Sequence, residues 1–389
     1  MSNITCLGKT NARSDHKAFG IKHPDRLFHT YIIGKTGTGK STLLLNHMLQ
    51  DMQSVKGFVL IDPHGDLAEK VAHALPKERL SDLMYFDVAN PSCLYGYNPL
   101  KRVAKSKRPL VSSGIIETLN KLYDAKSWGV KMEHILRNVL LTLLDQDRAD
   151  FSDIPLILLD KQFRQHCIRN ITNDEVTKFW SNEFNKYHHF QRANIVAPIL
   201  NKVGAFLSNP ILKKVLVDNQ NQMSFRKAMD EGKIIVINIA KGAIGEDAST
   251  LLGGLLVNSI GLAAFSRADI PEEDRRPFMV YVDEFQSFTT LSIANMLSEL
   301  RKYSVGMVLA NQFLSQLSPE IRDSVLGNVG TIISFRLGVS DAKYMEKEFY
   351  PVFSFSDITS LPNHDIYLKL MIDGMPSKPF SATTFPVRF

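Results

Sequence analysis

Cysteine is scarce: Cys6, Cys93 and Cys167 are the only three in 389 residues. They lie far apart with no metal-knuckle spacing, which argues against a disulfide framework and a zinc module and suits reduced thiols in a cytoplasmic protein. A secretory leader is missing, because Met1-Ser2-Asn3-Ile4-Thr5-Cys6 has no basic end followed by an apolar block. Long apolar runs are missing too. The longest, Leu251 to Phe265, is interrupted by Gly253, Gly254, Asn258, Ser259 and Gly261, so no membrane-spanning segment is expected. Internal repeats and low-complexity tracts are absent, which argues against a solenoid.

What remains is a chain large enough for one big domain or two. Its 44% hydrophobic and 22% charged residues are ordinary for a globular protein. The net charge of +6 is unevenly spread: residues 101–230 hold 21 Lys and Arg against 13 Asp and Glu, an excess of +8, whereas the rest of the chain sums to −2. A basic segment set into a neutral chain suits a polyanionic partner, although solvated helix faces carry the same composition.

Residues 34–41 read Gly-Lys-Thr-Gly-Thr-Gly-Lys-Ser. This is the phosphate-loop pattern, and its setting is the required one. A β-rich run, Thr30 to Ile33, precedes it, and a helical run, Thr42 to Leu49, follows. Such a strand–loop–helix aims backbone N–H groups and a positive helix end at one point. Gly34, Gly37 and Gly39 let the backbone close on phosphate oxygens, with Lys35, Thr36, Thr38 and Thr42 completing the loop. Lys40 is expected to reach the β- and γ-phosphates of ATP and Ser41 to bind Mg²⁺.

Further β-branched runs recur at Phe58–Ile61, Leu83–Phe86, Ile234–Ile239, Met279–Val282, Val305–Ala310 and Thr331–Phe335. Nearly continuous apolar strands separated by helical patterns predict an α/β fold with a mostly parallel sheet. Between the third and fourth runs the pattern is helical. Met132, Ile135, Leu136, Val139, Leu140, Leu143 and Leu144 form one stripe, and Pro198 and Pro210 are expected breaks. The expected organisation is a nucleotide-binding core, residues 1–103 and 225–389, around an all-helical insertion, residues 104–224.

The run Met279–Val282 ends in Asp283 and Glu284. At a strand end beside a phosphate loop, the first acid suits the Mg²⁺ shell and the second suits activation of water. Gln312 follows the next strand and fits a γ-phosphate sensor. Arg301, after the acid pair, is a candidate for insertion into a neighbouring subunit's site, with Arg322 and Arg336 as rivals. Asp62 and His64 follow the second strand, where open α/β sheets bind ligands. Ala240 to Asp247 reads as a loop in which Lys241 is a candidate DNA contact, with Asp247 as a helix cap in the plainer reading. Lys213 and Lys214 are further candidates.

In this order the motifs Tyr-Ile-Ile-Gly-Lys-Thr-Gly-Thr-Gly-Lys-Ser-Thr-Leu, Leu-Ile-Asp-Pro-His-Gly-Asp, Val-Asp-Glu-Phe-Gln and Ala-Asn-Gln resemble the HerA/FtsK superfamily of DNA-pumping ATPases. The conjugative coupling-protein branch is nearest, supported by Tyr97-Asn98-Pro99-Leu100 and Gly327-Asn328-Val329-Gly330-Thr331. The resemblance covers the chain from about Phe19 to Phe385. It implies a RecA-like core, a homohexameric ring and ATP-driven movement of single- or double-stranded DNA. It also implies that Lys40 and Ser41 bind nucleotide and Mg²⁺, Asp283 binds Mg²⁺, Glu284 is the base, Gln312 the sensor and Arg301 the trans arginine. A relaxase, a secretion channel or a nuclease is the kind of partner implied. With only about 30 residues before the phosphate loop, neither the N-terminal transmembrane helices of membrane-bound coupling proteins nor the N-terminal β-barrel of HerA-type enzymes is expected. An ATPase that energises protein secretion, or a nucleotide-gated scaffold for a nuclease, stands as the alternative.

Overall fold

The computed structural model describes residues 3–12, 16–101, 103–123, 128–218 and 221–387. Its strands in chain order are β1 (Ile4–Thr10), β2 (Ala18–Lys22), β3 (Thr30–Ile33), β4 (Gly57–Asp62), β5 (Leu83–Asp87), β6 (Ile234–Asn238), β7 (Phe278–Val282), β8 (Val305–Asn311), β9 (Thr331–Ser334), β10 (Asp365–Lys369), β11 (Met371–Ile372), β12 (Met375–Pro376) and β13 (Phe380–Thr384). Eleven of them form one sheet in the order β2-β1-β13-β10-β9-β3-β8-β7-β4-β6-β5, and β11 pairs with β12.

The chain divides into two compact units. The first comprises residues 1–85, 225–239 and 263–389. Its heart is the parallel block β9-β3-β8-β7-β4-β6. Every residue of β3, β4, β6, β7 and β8 is buried, which is why those segments read as unbroken apolar runs rather than alternating ones. β10, β13, β1 and β2 extend the sheet in antiparallel fashion. Helix Lys40–Gln53 packs Leu43, Leu44 and Met48, all fully buried, onto one face. Each such side chain contributes about 1.5–3 kcal/mol of apolar burial. That packing fixes the direction of the helix, and therefore of its amino end, relative to β3.

The second unit comprises residues 86–224 and 240–262, and among the described residues its regular structure is helical apart from the end of β5 and one isolated bridge, Gly96 to Gln222. The expected helical tract, 104–224, lies inside it. Helix Val130–Leu144 buries the stripe read from the sequence. The indole of Trp180 is wholly buried and donates to Thr142 Oγ1 at 2.8 Å. Helices Arg108–Lys121 and Glu246–Phe265 approach so closely at Gly114 that a β-carbon there would lie 1.9 Å from Asn258. Pro198 does not break the chain as expected: helix His189–Leu207 runs through it. Pro210 opens a short helix at its first turn, where the missing N–H has no helical partner to lose.

Two expectations are revised. The residues that interrupt the apolar run after Glu246 stay helical, and Glu246–Asp269 is 24 residues long and contains an 18-residue stretch with a mean hydropathy of 1.6, enough to cross a membrane by length and composition. Its apolar stretch is 78% buried, as the core helix of a folded domain would be. The segment read as a loop, Ala240–Asp247, is a helical turn, Lys241–Ile244, followed directly by the long helix.

Candidate nucleotide site

The parallel strands all end at one edge of the first unit, and the motif residues gather there. β3 delivers the chain into the loop at Gly34, whose amide donates to Asn311 O at the end of β8. The amide of Lys35 donates to Arg336 O just beyond β9. The loop is thereby held by both neighbours of β3. Gly37 and Gly39 take φ values of +76° and +122°, and a β-carbon at Gly39 would lie 2.9 Å from His364 Nδ1. Glycine is needed here for backbone conformation and for space.

A cavity of about 500 Å³ opens over this loop. Its lining includes Thr36, Gly37, Gly39, Lys40, Ser41 and Thr42, with Asp62, His64, Asp283, Glu284, Gln312 and His364 around them. Lys40 is 7% exposed and its Nζ folds back on the loop, donating to Gly34 O at 2.6 Å and Lys35 O at 3.2 Å. Burial pulls its pKa down, against the opposing pull of Glu284 and Asp283. Asp283 and Glu284 are each 8% exposed. Burial, then the nearby carboxylates of Asp62 and Glu284, push Asp283 up to about 7. A cation placed beside Asp283 would oppose that shift and favour its charged form.

Glu284 is held tightly. Gln312 Nε2 and Gln286 Nε2 each donate to one of its oxygens at 2.5 Å. Gln312 Oε1 in turn accepts from Thr36 Oγ1 at 3.0 Å, so the loop, the acid and the amide form one chain of hydrogen bonds. Glu284 sits at φ 49°, an uncommon conformation for a residue with a β-carbon.

Amides of a glycine loop and Lys40 suit phosphate oxygens, while the Ser41 hydroxyl and Asp283 suit a hard divalent cation. Among the described residues no group of three or more His, Cys, Asp and Glu side chains is arranged to hold a metal by itself. Mg²⁺ commonly takes one or two protein oxygens beside waters and substrate phosphates, which Ser41 and Asp283 suit.

Other sequence candidates fall elsewhere. Asp62 borders the cavity but is committed to structure: its carboxylate accepts from the amides of His64, Leu67 and Ala68, each at 2.9 Å, and caps the helix starting at Asp66. Arg301 lies before the first residue of β8, at the opposite edge of the sheet from its own phosphate loop, with its guanidinium 3.6 Å over the Phe28 ring. Arg336 is near the loop but tied to Leu361 O and Asn363. Arg322 pairs with Asp323 and lies over Tyr344. In the second unit, Lys241 pairs with Glu246 at 2.9 Å, Lys214 is engaged by Pro91 O, and Lys213 is exposed. Two features were not anticipated: Gln286, which grips Glu284 from two residues further on and was readable as part of that motif, and His364, which lines the cavity and whose place depends on long-range pairing of β10.

No protein-family profile and no curated protein matches the chain by sequence. Solved structures do match. The bacterial conjugative coupling protein TrwBdeltaN70 superposes with a TM-score of 0.69 at 14% identity, over 98% of this chain and 89% of that one. The plasmid coupling protein TrwB in complex with ADP and Mg²⁺ gives 0.68 at 15% identity, over 100% and 97%. VirB4 of Thermoanaerobacter pseudethanolicus gives 0.63 at 13% identity, over 100% and 97%. At these identities the likeness is one of architecture, and the chain has the α/β fold seen in TrwB and VirB4.

Proposed function

We propose that the chain is an ATP-hydrolysing motor that moves DNA through a ring of its own copies, in the manner of a coupling protein. The observation that carries the catalytic part is the Thr36–Gln312–Glu284–Gln286 chain of hydrogen bonds, which fixes a buried carboxylate in the cavity that holds Lys40 and Ser41. TrwB has been seen with ADP and Mg²⁺ and with non-hydrolysable nucleotide analogues, and the donor set of this chain suits the same ligands. Bound Mg²⁺–ATP supplies an activated phosphoryl group. Lys40 and the loop amides hold its phosphates, Ser41 and Asp283 hold the cation, and Gln312 and Gln286 orient Glu284 to take a proton from water.

The ring reading rests on Arg301. β8 spans the sheet, about 23 Å at strand rise, between Arg301 and the phosphate-loop edge. Arg301 is thus out of reach of its own subunit's site, and a catalytic role for it would require a neighbouring subunit joined by head-to-tail contacts that close. The DNA reading rests on the basic excess in residues 101–230. ATPase assays with and without DNA test the whole proposal. A protein-assembly ATPase is the second reading, and stimulation by unfolded protein rather than DNA would select it.

A further inference from the structure

The charge excess of the second unit has an address. From Phe184 to Val217 there is no Asp or Glu, while Lys186, Arg192, Lys202, Lys213, Lys214, His188 and His189 all fall within that span. At its start the chain projects a short tip, Asn185 to Gln191, into helix His189–Leu207. Lys186, His188 and His189 are exposed there, and Phe190 is 78% exposed. A lone exposed phenylalanine forgoes about 1.5–3 kcal/mol of burial. Here it does so among cations, with no acid in the tract.

The tip is not a loose loop. Arg192 lies 5.2 Å over the buried Phe184 ring and donates to the carbonyls of Phe184, Asn185 and Tyr187 at 3.3, 3.4 and 3.3 Å. Tyr187 donates to Glu183 at 2.5 Å and lies under the ammonium of Lys131 at 4.8 Å. Phe184 packs in turn against Trp180 and Phe179. The exposed ring is thus presented from a rigid aromatic base, and the helix face behind it, with Gln191, Asn194, Ala197 and Asn201 exposed, is uncharged.

We propose that Phe190, with Lys186, His188 and His189, is a stacking and phosphate-contact platform for single-stranded nucleic acid. An aromatic face takes any unpaired base and cations follow the backbone, while the nearest acid, Glu183, is engaged by Tyr187 and His134. A duplex keeps its bases stacked on each other and offers nothing to Phe190. The inference rests on the DNA reading above and sharpens it, by naming the strand state and the residues.

The test uses the full chain and a fluorescent single-stranded oligonucleotide, alongside the same sequence as a duplex, at two salt concentrations. The platform predicts tighter binding of the single strand than of the duplex. Phe190→Ala should weaken single-strand binding on the order of ten-fold with little change of salt slope, and Phe190→Trp should restore it. Lys186→Ala should lower the slope by about one. Basal ATPase, unchanged in all three variants, confirms folding. Single-strand binding unaffected by Phe190→Ala overturns the platform and leaves the DNA reading standing. Binding of neither nucleic acid by the unaltered chain overturns both. Phe190-dependent pelleting with anionic vesicles, without Phe190-dependent oligonucleotide binding, also overturns it.

Discussion

Glu284 holds a left-handed backbone at the end of β7 while its carboxylate is gripped from both sides, at a conformational cost on the order of 1 kcal/mol or more. The surroundings over-determine it, as expected for a group whose position matters more than its comfort. Glu284→Gln should therefore leave nucleotide binding intact and slow turnover about 10²–10⁴-fold, measured by fluorescent-nucleotide titration and phosphate release. Lys40→Ala should lose nucleotide binding itself. A different residue-scale effect comes from His29 and His47, which burial first of all pulls down to about 4 and about 3. His29 bonds Leu297 O and the Met307 amide, whereas both ring nitrogens of His47 are unpartnered. Both are neutral in the fold and take up a proton on unfolding below pH 6.5. Stability is complete above 6.5 and falls as pH drops towards 4, by at most about 1.4 kcal/mol per pH unit per histidine. His47→Leu should flatten that loss by about one proton's worth, read from urea midpoints at pH 7 and pH 5.

Among the elements, the decisive junction is a buried cluster beneath the phosphate-loop helix. Arg26 grips Asp51 with two hydrogen bonds, 2.5 and 2.9 Å, and Tyr281 OH joins both at 2.6 and 2.5 Å. Burial works against both charges. The mutual attraction outweighs it, keeping Asp51 below and Arg26 above their ordinary values. The cluster ties helix His23–Arg26, helix Lys40–Gln53 and β7 together, so it couples the element bearing Lys40 to the strand bearing Asp283. Asp51→Ala should cost about 3–5 kcal/mol by leaving Arg26 buried and unpaired, and Arg26→Met with Asp51→Leu should recover much of it; urea unfolding reads both. None of this was legible in the sequence, because Arg26, Asp51 and Tyr281 are ordinary residues until the sheet brings them together. The six central strands were legible because burial on both faces leaves continuous β-branched runs. β1, β10 and β13 were missed: Ile-Thr-Cys-Leu-Gly-Lys-Thr, Asp-Ile-Tyr-Leu-Lys and Phe-Ser-Ala-Thr-Thr mix polar residues into half-buried strands, and partners far along the chain complete them. The cavity's phosphate loop, acid pair and Gln312 were readable because each sits at a strand end with its own local pattern. His364 has no such pattern.

For the whole molecule, the site offers Lys40, Ser41, Asp283 and Glu284 from one subunit, while Arg301 stands at the far edge of the same sheet. A closed ring would bring such an arginine to the next site. Mixing Arg301→Ala subunits with Lys40→Ala subunits should then recover part of the lost activity, since some interfaces join an intact loop to an intact arginine. Rings that form and show no recovery at any ratio would remove Arg301 from the site. The central claim, that the chain is an ATP-driven DNA motor, is tested most directly by the rate of ATP hydrolysis as single- or double-stranded DNA is titrated in at low and at moderate salt. The account predicts a rate that rises with DNA, saturates, and needs more DNA at the higher salt, as phosphate contacts require. A rate that ignores both forms of DNA at both salts would contradict it.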